Sequence, residues 1–108
     1  MYEESMVLCG ASSYEKKFYL NDKFQSLPDQ VKDELKVMCV LFTEDVGGVL
    51  TLLFDEEGNL SLNVTSEEED LLFDEIGSAL KIKQIQQQKQ ELFEALETYY
   101  RVFILGEK

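Results

Sequence analysis

The chain has 108 residues, carries a formal charge of −12 with no histidine, and is 44% hydrophobic and 30% charged. That size and composition fit one globular domain rather than a disordered chain. The charge excludes roles built on neutralising phosphates or an anionic membrane surface, and no apolar run approaches the roughly 18 residues of a membrane span.

The acidic start Met1-Tyr2-Glu3-Glu4 lacks the positive charge and apolar stretch of a secretory signal, so a cytoplasmic protein is expected. Residues 5–10 and 15–20 are two short apolar runs on either side of Ala11-Ser12-Ser13, and the spacing predicts a β-hairpin. Pro28 then opens a helix. Asp29, Asp33 and Glu34 load its first turns with acid, and Val31, Leu35, Met38, Cys39, Phe42 and Val46 repeat at helical spacing up to Gly47. Residues 36–43 are apolar on both faces, which leaves a buried strand as the rival reading.

Residues 49–54 and 60–64 flank Asp55-Glu56-Glu57-Gly58-Asn59. Two β-rich runs around a polar, glycine-bearing loop predict a second hairpin. Ser66-Glu67-Glu68-Glu69 has the form of a capping box, so a helix is predicted from about Asp70 to about Ile104, interrupted at Gly77-Ser78. Ile82, Ile85, Leu92, Leu96, Tyr99 and Phe103 form its apolar seam, with Lys89 in a polar slot. A straight helix over residues 79–104 would be about 39 Å long at about 1.5 Å per residue, so it must overhang, bend or pack on a second copy. The order ββ-α-ββ-α predicts a single α+β domain over residues 1–108, an antiparallel sheet with its helices on one face.

Little chemistry is legible. Without histidine, the commonest general base and metal ligand are missing. Cys9 and Cys39 both lie in apolar runs and read as buried thiols in a reducing compartment rather than a disulfide. Aligning Gly58 with the invariant glycine of a calcium loop puts Leu53 and Val64 at obligatory ligand positions, so that match fails. No catalytic residue, metal site or cofactor is predicted, and a non-enzymatic protein is expected. A small carboxylate-dependent enzyme is the outlying alternative.

Charge is unevenly spread. Residues 55–75 hold nine acids and no Lys or Arg: Asp55, Glu56, Glu57, Glu67, Glu68, Glu69, Asp70, Asp74 and Glu75. One reading is a solvated surface at a hairpin tip and a helix start. The other is an acidic face that docks a basic protein partner.

The stretches VLCGASSYEKKFYLN, LPDQVKDELKVMCVLFTEDVGGVLTLLFDEEGNL and LFDEIGSALKI resemble a family of uncharacterised proteins of about this length from anaerobic Gram-positive bacteria. The resemblance spans nearly the whole chain. It implies a bacterial cytosolic protein from a domain-of-unknown-function family, and it brings no activity and no site residues. In size, acidity and element order the chain is also similar to small acidic secretion chaperones and bacterial immunity proteins. A protein-interaction module or oligomer is therefore the expected function. A homodimer is the expected assembly, and a protein that masks a basic partner is the alternative.

Overall fold

The computed structural model describes residues 6–106. Strands β1 (Met6–Ser12) and β2 (Lys17–Leu20) form the first hairpin, followed by a 3-10 turn (Asp22–Phe24) and helix α1 (Asp29–Val46). Strands β3 (Val49–Phe54) and β4 (Leu60–Thr65) form the second hairpin, followed by α2 (Glu75–Gln88), α3 (Gln90–Tyr99) and a π turn (Tyr100–Ile104). This is the predicted α+β class. The helical reading of residues 36–43 holds, because Met38, Cys39, Phe42 and Thr43 are buried on one side of α1 while Lys36, Val37 and Leu41 are exposed.

The two hairpins join into one antiparallel sheet of order β2-β1-β3-β4. The most apolar strands, β1 and β3, sit in the middle, where both edges are paired. The edge strands carry Lys17 and Tyr19 on β2 and Ser61, Asn63 and Thr65 on β4, side chains that tolerate water. Registers Cys9↔Leu52, Ala11↔Leu50, Leu50↔Val64 and Leu52↔Leu62 put one set of apolar residues on the helix side. A bulge at Leu8 keeps that residue buried without flipping the remainder of β1. Asn21 secures it, its side-chain amide donating to the Val7 carbonyl and its backbone N–H to that of Leu8.

Among the described residues, the buried hydrophobic side chains form one cluster on that face. At one end Phe54 stacks on Tyr100 with ring centroids 4.2 Å apart, and Phe24 packs on both at 5.7 and 6.3 Å. Cys9 of β1 and Cys39 of α1 are free and fully buried, with their sulfurs 4.0 Å apart. Their mutual hydrogen bond and then burial push the Cys9 thiol pKa well up, which leaves it an inert packing group, and Cys39 is as fully buried beside it.

The opposite face of the sheet is only half-buried or exposed. Its cross-strand rows are Tyr19–Gly10–Thr51–Asn63, Lys17–Ser12–Val49–Thr65 and Val7–Leu53–Ser61. Among the described residues, none of these rows carries a carboxylate.

The C-terminal part departs from expectation in three places. The helix does not start at the capping box, because residues 66–74 are turns and extended chain. The cap is Asp74, whose carboxylate accepts the Gly77 N–H at 2.8 Å, the usual reach to the third helical residue. Gly77 is thus part of the first turn and not an interruption. The long helix instead bends at Lys89 (φ −109°, ψ 20°), which lets both Ile85 and the Phe93–Leu96 pair reach the core. Lys89 fixes the bend by an ion pair to Glu34 of α1 at 2.8 Å. Finally, the extra residue of the π turn takes Phe103 off the apolar seam, leaving it 71% exposed.

Truncating Phe54 to Ala is therefore expected to cost about 3–5 kcal/mol in urea unfolding. Phe103→Ala is expected to stay within about 0.5 kcal/mol of the parent. Equal losses at the two positions would mean that Phe103 is a core residue.

Candidate partner-binding face

The nine acids of residues 55–75 do not form one face. Asp55, Glu56 and Glu57 lie in the β3–β4 turn, whereas Glu67 to Glu75 follow the far end of β4. Six strand residues separate the two groups, about 17 Å at the usual rise of about 3.3 Å per residue. Sequence proximity suggested continuity; the length of the strand breaks it.

At the first end, Asp55 is a turn residue. Its carboxylate accepts the N–H groups of Glu57 and Asn59, both at 2.9 Å. The Asn59 N–H and then the other turn donors hold its pKa below the ordinary carboxylate range, the reverse of what a general acid needs. Arg101 of the π turn reaches back, donating to the Glu57 carbonyl at 3.1 Å and to the Asn59 side chain at 2.8 Å. It packs so closely on Gly58 (φ 89°) that a Cβ there would lie 2.7 Å from Arg101 Cγ. Only the side chains of Glu56 and Glu57 remain free for solvent.

At the second end, residues 66–74 form a strap pinned at two points. The Tyr14 hydroxyl donates to Asp70 at 2.6 Å and accepts the Glu67 N–H at 3.0 Å. The Asp70 carboxylate, and to a lesser degree desolvation, raises the Tyr14 pKa. Beyond it, the Asp74 N–H donates to the Val46 carbonyl at 3.2 Å. Phe73 lies against Gly48, where a Cβ would meet the ring at 2.8 Å and the Thr65 carbonyl at 2.6 Å. Asp70 and Asp74 are thereby committed to the fold.

Between the two pins the strap presents Leu71 and Leu72, 94% and 93% exposed, and α2 adds Ile76 at 77%. Around them stand the exposed Glu67, Glu68, Glu69 and Glu75. Sequence reasoning missed Leu71 and Leu72 because it placed them in a helix, and it did not single out Ile76 on the exposed side of α2. The signal was present as the alternation of acid and apolar residues in EEEDLLFDEI, a pattern of interaction segments rather than of cores.

No group of three or more His, Cys, Asp or Glu among the described residues is placed to hold a metal ion. No helix among them is long and apolar enough to cross a membrane.

The fold and this surface define a small acidic α+β protein whose distinguishing feature is a presented loop. The chain belongs to a family of unknown function, DUF6145, whose model matches residues 5–108. No curated protein and no solved structure matches it.

The Asp55 turn makes a pH-dependent contribution. Because its folded-state pKa is depressed, its stabilisation is present in full above the ordinary carboxylate value near about 4 and is lost as pH falls through the lower folded-state value. Asp55→Ala is expected to lower the urea midpoint at neutral pH, and the gap to the parent should close as pH drops below about 4. A gap independent of pH would show that the carboxylate's charge is not what holds the turn.

Proposed function

We propose that the protein is a non-enzymatic, cytoplasmic interaction module whose acidic strap docks a partner with an apolar pocket rimmed by Lys or Arg. The observation that carries this reading is the near-complete exposure of Leu71 and Leu72 within the Glu67–Glu75 segment. Large apolar side chains held out by a pinned loop lose contacts in the free molecule, and a partner's pocket restores them. The surrounding carboxylates favour a basic rim and speed encounter. Masking of a basic protein, as an immunity or chaperone protein does, is one form of the same reading.

Affinity purification from the native cell supplies the partner, and binding kinetics then test the strap. Raising salt from about 50 to about 500 mM is expected to slow association severalfold, since the screening length is only about 8 Å at physiological ionic strength. Replacing Glu67, Glu68, Glu69 and Glu75 with Gln should mimic high salt. Leu71→Ser with Leu72→Ser should instead speed dissociation. The same number of Gln changes at Glu3, Glu4, Glu15 and Glu107 should do neither, and equal effects from both acid sets would remove the strap from the interface.

Self-association is the second reading, favoured by the outer sheet face. Two copies each carrying −12 repel, and this face, which has Val7, Tyr19, Val49 and Leu53 and no carboxylate among the described residues of its rows, is where they can meet at least cost. Sedimentation at high micromolar concentration is expected to show a dimer that Tyr19→Glu with Thr51→Glu dissociates. Only a 12.5 kDa species in the parent would remove this reading.

A further inference from the structure

The chain has ten basic residues, and three of them, Lys16, Lys17 and Lys36, line one cleft. The cleft lies between the β1–β2 turn, α1 from Lys36 to Val46, and the strap at Asp70 and Leu72, and encloses about 950 Å³. Small-molecule sites typically occupy about 300–1,000 Å³. Phe18, Val40 and Val46 supply apolar wall.

The charges in this cleft are unequally matched. Lys32, Lys81 and Lys89 each form an ion pair with Asp29, Asp45 and Glu34 respectively. Among the described residues, Lys16, Lys17 and Lys36 form none. Of the three carboxylates lining the cleft, Asp45 is taken by Lys81 at 2.6 Å and Asp70 by the Tyr14 hydroxyl at 2.6 Å. The tyrosine is neutral, so Asp70 keeps its charge, and three lysines face two carboxylates, Glu44 and Asp70, an excess of one positive charge. Like charges gathered in a concave surface raise the local concentration of counter-ions, and low-dielectric walls focus the effect.

We propose that this cleft binds a small amphiphilic monoanion, a hydrocarbon or aromatic body with one carboxylate- or sulfonate-class head. The head sits at Lys16 and Lys36, with Lys17 at the edge of the lining, and the body lies on Phe18, Val40 and Val46. A multiply charged anion fits less well, because the field of a −12 chain and the nearby Glu44 oppose each added charge, and the apolar wall would stay unused. The cleft adjoins the strap at Asp70 and Leu72, but the proposal does not rest on the partner-binding reading.

The test uses the full chain and anilinonaphthalene sulfonate as probe, with octanoate and octanol as competitors. Saturable binding at one site is expected, with amide shifts in NMR spectra confined to residues 11–18, 36–47 and 70–72. Octanoate should displace the probe at least about tenfold better than octanol, a difference of about 1.4 kcal/mol. Lys16→Gln, Lys17→Gln and Lys36→Gln together should weaken binding by at least about tenfold. Lys23→Gln with Lys83→Gln, which lie outside the cleft, should leave it unchanged. Shifts that map elsewhere, equal competition by octanol, or a folded triple variant that binds like the parent would each overturn the proposal. If the triple variant fails to fold, the shift map and the competitor pair on the parent chain still decide.

Discussion

The stack of Phe54 on Tyr100 is the contact on which the arrangement depends. A sheet with helices on one face has a single core, and α1 covers mainly the β1, β2 and β3 side of it. The remaining apolar surface, toward β4, is closed only when the chain's last helical segments fold back. Tyr100 does this by placing its ring 4.2 Å from that of Phe54, with Phe24 against both. The bend at Lys89 and the π turn at Tyr100–Ile104 both serve that closure. A straight helix would carry Tyr100 past the sheet, and a regular last turn would not bring Arg101 back over Gly58.

The same closure explains where the acid went. With one core and a net charge of −12, carboxylates are confined to turns, helix starts and the outer surfaces of helices. The β3–β4 turn uses Asp55 as an acceptor, and α2 uses Asp74 as its cap. Tyr14 uses Asp70 as a tether. In the strap Glu67, Glu68 and Glu69 stay uncommitted, and with Glu75 of α2 they surround Leu71, Leu72 and Ile76. Local structure has therefore sorted the acids into those that build the fold and those that face solvent.

The hairpins and α1 were legible in the sequence because their signals are local. Alternation in Leu60–Thr65, glycine at position 58, and helical spacing from Val31 to Val46 each act within a few residues. Sheet order was not legible, since nothing short-range says that β1 pairs with β3 across an 18-residue helix. The helix start was misread because two caps compete. Ser66-Glu67-Glu68-Glu69 and Asp74-Glu75-Ile76-Gly77 are both acceptable starts. The choice is made by tertiary contacts, Tyr14 on Asp70 and Phe73 on Gly48, that hold residues 66–74 out of helix. The candidate site was half legible: its charge was counted correctly, but the nine acids were taken as one surface, and Leu71 and Leu72 were assigned to a helix.

Cys9 and Cys39 make the core self-reporting. One thiol belongs to a central strand and the other to the helix that covers it, and neither has any surface in contact with water. A soluble alkylating reagent can reach them only during moments when α1 lifts from β1. Under conditions where reclosing outruns modification, the labelling rate measures the population of that opened form, and with it the free energy of separating these two layers. The native sequence thus carries its own probe of the layer that holds the fold together, with no residue added.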